Sequence, residues 1–435
     1  MRKAVRLSVL ACLVACRIGS SAALGTAREA SEKGAPLDEN SVLEDYLAYA
    51  ERNNPELRGR FNRWQAALEQ IPQAKALPDP RLAYACFLQE VETRVGPQRH
   101  KVGIAQTFPW FGKLGLRKDV AMKRANAERE RYASAKLDLF YRVEKIYREL
   151  YYLGRAASVT DENIRLMTFL EEVARTRYAA GATPHSDVVR AQVELGRLED
   201  RLRSLEELKT PLLARFNSLL NRPSDAAVAL PQQRPRSRPC VSEEALSEML
   251  SQRNPRLKAI ELDASAHGDS ARLAERDFYP DITVGLEYIE TGGASVEGVD
   301  DDGKDPVLAT VSVNLPLWRE KYRAAEEEAL LKREAALSEK RDVENELAAD
   351  LSLALYHFRD AERKIDLYES SLLPKAKQSL NVAQQAFTTG QGSFLEIVDA
   401  ERTLLEFQLS LERSVTNRAQ RLAEIEMIVG IRGTE

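Results

Sequence analysis

The chain is written twice. Asn53-Asn54-Pro55-Glu56-Leu57 returns about 200 residues later as Arg253-Asn254-Pro255-Arg256-Leu257, the long-period self-similarity that marks a repeated structural unit. Thr107-Phe108-Pro109-Trp110 returns after about 207 as Asn314-Leu315-Pro316-Leu317-Trp318, and Tyr178-Ala179-Ala180-Gly181 after about 209 as Phe387-Thr388-Thr389-Gly390. The slowly growing offset puts small insertions between landmarks, one of them the acidic, Gly-rich segment Gly292 to Lys304. Two units are too few for a solenoid. They predict a pseudo-twofold protomer, with a first repeat over 40–225, a linker over 226–241 rich in Pro, Arg and Ser, a second repeat over 242–430 and a tail over 431–435.

Each copy has the same internal order. A helix pair comes first, Val42 to Arg52 then Pro55 to Ala76, and again Glu243 to Gln252 then Pro255 to Arg276, with the proline at a helix start in both. Two extended segments follow. Ile282, Val284, Leu286 and Tyr288 alternate with Thr283, Gly285 and Glu287; Val307, Ala309, Val311, Val313 and Leu315 alternate with Thr310, Ser312 and Asn314. In the first copy Leu82, Tyr84, Cys86 and Leu88 share a face, and Val102, Ile104 and Phe108 share another. The spacing predicts strands over 81–90, 100–108, 281–290 and 306–315. A run of about 9 residues is what a tilted transmembrane strand needs, and it fits a soluble hairpin equally well. Four strands cannot close a barrel, and an open edge cannot sit in lipid. Membrane strands in this chain would therefore have to be pooled between several copies.

The segments after each strand pair are long. From Lys113 to Ala180 there is no proline, the only glycines are Gly115 and Gly154, and a continuous helix there would measure about 100 Å. Leu139, Val143, Ile146, Leu150 and Leu153 step by threes and fours, the helical period. These patterns predict helices over 113–180 and 184–220, then 318–389 and 393–429, with Thr183 as a cap and a kink or break at Pro374. A long arm, a glycine turn and a returning arm make a coiled hairpin.

The N-terminus reads as an export signal over 1–22: Arg2, Lys3 and Arg6, then the apolar run Leu7 to Ala15. Two ends are open to it. Leu13-Val14-Ala15-Cys16 resembles a lipobox, which would make Cys16 a lipid attachment site, and Ser20-Ser21-Ala22 offers ordinary cleavage. That run is too short to span a bilayer, and no later stretch supplies about 20 apolar residues. Cys86 and Cys240, far apart and in unlike surroundings, do not form a disulfide framework.

Other functions find little support. With 63 Lys and Arg against 67 Asp and Glu, the charge balance gives no reason to expect nucleic acid. The four His, at 100, 185, 267 and 357, are scattered with no metal-ligand spacing, so no cofactor or metal is expected. No nucleophile elbow, phosphate loop or dinucleotide fingerprint appears, and the carboxylates alternate with Lys and Arg as on solvated coiled-coil faces. An enzyme is not expected. A soluble periplasmic coiled-coil adaptor or scaffold is the alternative that shares the hairpins and the export signal.

Strand pair plus long coiled hairpin, twice over, behind an export signal, resembles the TolC-type outer-membrane efflux proteins. The resemblance covers roughly Val42 to Gly430 and rests most on Ala76-Leu77-Pro78-Asp79-Pro80, on Gln106-Thr107-Phe108-Pro109-Trp110-Phe111-Gly112 and on Gly390 through Ala400. It implies a mostly α chain with a small transmembrane β part. A homotrimer would build a 12-stranded β-barrel in outer-membrane lipid, continued by a periplasmic α-helical barrel. It implies an exit duct of a tripartite efflux pump or type I secretion system, working with a periplasmic adaptor and an inner-membrane pump of RND or ABC type. It also implies a periplasmic gate near the turn glycines Gly181, Gly390 and Gly392, with Asp399, Asp187 and Glu396 lining it. Asp187 and Glu396 are equally well placed as first-turn and capping-box acids. Phe387 and Gly392 stand where the family can carry a gating Tyr and Arg, which leaves Arg190 as a substitute partner.

Overall fold

The computed structural model describes residues 37–38, 41–235, 242–296 and 298–432, so the export signal, Cys16 and Cys240 lie outside the described residues. The first copy runs α1 (Leu43–Asn53), α2 (Pro55–Lys75), β1 (Arg81–Thr93), β2 (Gly96–Phe108), α3 (Lys113–Ala179) and α4 (His185–Leu219). The second runs α5 (Glu243–Arg253), α6 (Pro255–Arg276), β3 (Ile282–Thr291), β4 (Val307–Val313), α7 (Arg319–Leu367), α8 (Leu373–Thr388) and α9 (Phe394–Val429). No helix among the described residues is long and apolar enough to cross a membrane.

The repeated Asn-Pro pair has a structural reason. Asn54 accepts from the Leu57 amide at 3.0 Å and donates to the Leu219 carbonyl at 2.8 Å. Asn254 accepts from the Leu257 amide at 3.1 Å and donates to the Ile428 carbonyl at 2.7 Å. Each asparagine thus caps the start of one helix and satisfies an orphan carbonyl at the end of the helix returning from the far tip. The proline behind it needs no amide partner at that position. Around the first pair Tyr46, Tyr147 and Phe216 pack as a buried aromatic group; around the second, Leu257, Leu355, Phe358 and Ile428 form a mainly aliphatic one.

The four strands form one antiparallel sheet in the order β1-β2-β3-β4, so β2 and β3 join the two copies and β1 and β4 are edges. β1 and β2 extend past the expected ends, to Thr93 and back to Gly96, because Val91 and Thr93 resume pairing after an irregularity beyond Cys86. Gly96 makes that turn possible: its φ is +125°, and a Cβ there would lie 1.9 Å from the Gly292 carbonyl oxygen.

The helices stack in two tiers. Near the sheet, α2, α3, α6 and α7 lie side by side; farther away α3 pairs with α4, and α9 with α7 and α8. The segment expected as one helix over 318–389 is interrupted at Tyr368–Leu372 by a π-helical turn, with the Leu373 amide donating to the Tyr368 carbonyl. Pro374 explains the interruption, since it lacks an amide and its ring crowds the carbonyl four residues earlier; the wider π turn relieves both. Thr183 does not cap α4: the residue before the helix is Pro184, and the Thr183 hydroxyl has no hydrogen-bond partner. The lower tier is held by an apolar cluster that includes Met167, Leu198, Phe387 and Phe394.

Candidate functional site

Two places in this fold concentrate unusual chemistry, the sheet and the helical tips. In the sheet, pairing places Leu82, Ile104, Leu286 and Ala309 in one row, and Tyr84, Val102, Tyr288 and Val307 in the next row of that face. Val284 pairs with Val311, and Ile282 with Val313, on the same side. Leu82 is 76% exposed and Val311 71% exposed, so this face is a largely apolar surface, broken by Gln106 beside Val284 and left uncovered by the described residues of the single chain. The rows between carry the other face: Ala83, Gly103, Glu287 and Leu308 in one, Thr107, Thr283 and Ser312 in another. That side is small and polar, with Lys101 and Glu287 paired at 2.6 Å and the Thr107 and Thr283 hydroxyls 2.9 Å apart.

Aromatic and amphipathic side chains mark both ends of the apolar face. At one end Tyr84 bonds the His100 ring at 2.9 Å and Tyr288 donates to Asp305. At the other, Phe111 is 81% and Trp318 80% exposed, and Trp110 stacks on Tyr279 at 5.5 Å. Immediately beyond, Lys113 is buried and joins the copies: its Nζ lies 2.8 Å from Asp281 and 3.3 Å from Asp277, and donates to the Tyr279 carbonyl. The Trp110 amide also donates to Asp281. This cluster fixes the sheet on the helices, and sequence reading missed it because its members are about 165 residues apart in the chain.

The tips are two copies of one turn. Gly181 has φ +69° and Gly390 φ +78°. The Ala182 amide donates to the Arg177 carbonyl at 2.8 Å and the Gly181 amide to Tyr178 at 2.9 Å; Gln391 to Ala386 and Gly390 to Phe387 repeat the pattern at 2.8 and 3.1 Å. This is the Schellman arrangement, which needs a left-handed residue and therefore glycine. Gly392 is required for a different reason: a Cβ there would stand 2.8 Å from the Ala386 Cβ. A side chain as large as arginine has no room in this turn. Arg177 ties the tips together, donating to the Thr388 carbonyl at 2.9 Å and lying over the Phe387 ring at 4.8 Å. Phe387 in turn packs edge-on against Phe394 and is buried, so it serves the hairpin core.

The acids named from the sequence divide into two kinds. Asp187 is buried, with Arg190 of its own helix 3.6 Å away. Glu396 and Asp399 are exposed on α9. The Ser393 hydroxyl accepts from the Glu396 amide at 3.4 Å, a long capping contact, and the Asp399 carbonyl receives the Thr403 hydroxyl. The structure brings Asp187 and Arg190 together, while Asp399 is in no ion pair among the described residues, its charge acting on Arg402 of the same helix. Just above, Arg402 of α9 donates to Glu194 of α4 at 2.9 Å, and this bond holds the guanidinium above its ordinary range.

Comparison with known proteins gives this geometry its family. A profile of the family described as outer membrane efflux protein matches residues 47–220 and 246–430, one match for each copy. Nodulation protein T of Rhizobium leguminosarum bv. trifolii is 23% identical over 386 residues, 84% of this chain and 80% of its own length. The pyoverdine export outer membrane protein OpmQ of Pseudomonas putida is 22% identical over 307 residues, covering 69% of this chain and 63% of its own. Among solved structures, the outer membrane protein VceC of Vibrio cholerae superposes with a TM-score of 0.74 at 18% identity, covering 89% of this chain and 96% of that one. The open state of the MtrE channel of Neisseria gonorrhoeae gives 0.71 at 19% identity, with 89% of each chain covered. The enzyme and adaptor readings have no counterpart in these matches. With most of both copies matched, the chain belongs to the outer membrane efflux protein family.

Proposed function

We propose that three copies pool their sheets into one closed 12-stranded barrel in the outer membrane, continued by the helices as a duct across the periplasm. The observation that carries this reading is the sheet itself: one apolar, uncovered face, one small polar face, and two unpaired edges, β1 and β4. An unpaired edge in hydrocarbon leaves several backbone groups unsatisfied, so β4 of one copy would pair with β1 of the next until the ring closes. The apolar face then meets lipid, and the aromatic ends sit at the two interfaces. Conduction is passive, the cargo being delivered by a periplasmic adaptor and an inner-membrane pump of RND or ABC type. A Cys16 lipid would add a second hold on the membrane.

The far tips form the gate in this reading. Asp399 and Glu396 face the aperture, and Asp187 with Arg190 braces the turn from behind. The positions next to two glycine turns, and the exposure of the Asp399 carboxylate, support the assignment. The barrel reading is tested in a background lacking Cys86 and Cys240 by placing single cysteines on β1 and β4, at Ala83 and Thr310. A bifunctional maleimide applied to outer membranes should give covalent dimers and trimers. Monomers alone, with both thiols accessible, would refute the pooled barrel.

A further inference from the structure

Among the described residues, Glu401 occupies an unusual place for a carboxyl group. Its side chain is 0% exposed, and neither Oε1 nor Oε2 has a hydrogen-bond partner. It sits on α9 beside Ala400, Leu404 and Leu405, which belong to the apolar cluster shared by α3, α4, α8 and α9 below the π turn. An ionised carboxylate left unpaired in such a place is very unfavourable, and the ordinary remedies are a cation or a proton.

Among the described residues, the cation whose charge acts on Glu401 is Arg402, and it is committed elsewhere. On α4, Glu194 takes Arg402 at 2.9 Å and Arg197 at 3.3 Å. On α3, Glu171 takes Arg175 at 2.6 Å and Gln192 of α4 at 3.1 Å. Glu194 and Arg402 line a cleft to which α7 contributes Asp360 and Lys364, paired with each other at 2.7 Å. On α8, residues 378–388 contain no charged side chain, and on α9 itself Asp399 is exposed. Burial therefore pushes the Glu401 carboxyl up to about 7, the Glu194 charge adds to this, and Arg402 opposes it without reversing it.

We propose that Glu401 is a proton-operated latch on the hairpin tips: protonated, it lets α9 close on α3 and α4; ionised, it favours a loosened state in which the carboxylate reaches water. The direction follows from the two environments. Below pH 4.5, the ordinary value, the group carries its proton in either state and has no preference. From there to about pH 7 the buried group keeps a proton that a hydrated one has lost, so the closed state loses ground steadily. Between pH 5.5 and pH 8 the ratio of loosened to closed tips rises by up to about 30-fold. The inference concerns the packing of the tips and does not depend on the duct reading.

Hydrogen exchange of the full-length protein in detergent tests it, followed over residues 178–195 and 386–402 and corrected for the intrinsic pH dependence of exchange. The wild type should show the rise in opening with pH. Glu401→Gln, the neutral isostere, should stay flat, at about tenfold less opening than the wild type has at pH 5.5. Glu401→Leu should also be flat, which covers the case in which the amide packs poorly. Glu194→Gln should move the wild-type midpoint to lower pH by removing the neighbouring negative charge. A flat wild-type profile, or a rise retained in both Glu401 variants, overturns the latch. Conductance is read separately: a pH-independent pore beside a normal exchange profile leaves the latch standing, and an absent pore counts against the duct alone.

Discussion

Leu286 and Leu308 offer a matched pair of substitutions on opposite faces of one sheet. Leu286 lies in the apolar row with Ile104 and Ala309, while Leu308 lies one row on, opposite Glu287 on the polar face. Leu286 stands four residues from the start of β3 at Ile282, which at about 3.3 Å per residue and a tilt near 40° puts it roughly 10 Å into the membrane. That is close to the middle of an apolar band about 25 Å tall, where an arginine costs about 2–4 kcal/mol in each protomer. Leu308→Arg places the same side chain beside a carboxylate facing water, at a cost of about 1 kcal/mol or less. Urea unfolding in phospholipid vesicles measures both. Leu286→Arg should reduce the folded-to-unfolded ratio by about 30-fold or more, with Leu308→Arg near wild type. Equal effects, or the reverse order, would refute the assignment of faces.

Lys113→Met removes the cation that holds Asp277 and Asp281, and the loss of charge-assisted bonds should cost about 2–3 kcal/mol, read as a lower melting temperature. An unchanged melting temperature would show that the cluster does not couple sheet to helices. Arg177→Ala loses its bond to the Thr388 carbonyl and its place over Phe387, so exchange at 386–392 should accelerate by roughly tenfold while the sheet is unaffected. Uniform acceleration throughout the protein would mean that Arg177 supports the fold and not the tip. Neutralising the tip by Asp399→Asn with Asp187→Asn should raise conductance and leak in planar bilayers; unchanged conductance removes both acids from the gate.

What could be read from the sequence had a local chemical signature. The alternation from Ile282 to Tyr288 was visible because one face of a strand meets a single environment. The Asn-Pro pairs were visible because a cap and a proline leave a short fixed pattern, although the bond from Asn254 to Ile428 that completes the device was not. Phe387 and Gly392 stand where the family can carry Tyr and Arg; the structure gives the physical reason, a buried aromatic pair and a turn with no room for a Cβ. Lys113, Arg177 and Glu401 left no local signal. Each acquires its meaning from groups on another helix or in the other copy, and in a chain with 30% charged residues one more lysine, arginine or glutamate does not stand out. The π turn was foreseeable only as a disturbance at Pro374, since the proline dictates a break and neighbouring packing decides its form.

The central claim is that one chain cannot complete its own membrane sheet. The direct measurement is the native mass of the protein extracted from outer membranes in mild detergent, by light scattering or native mass spectrometry with the detergent subtracted. The account predicts a closed trimer, three times the mass of the mature chain, with no stable monomer. A monomer, or recovery of the protein in the soluble periplasmic fraction, would contradict it.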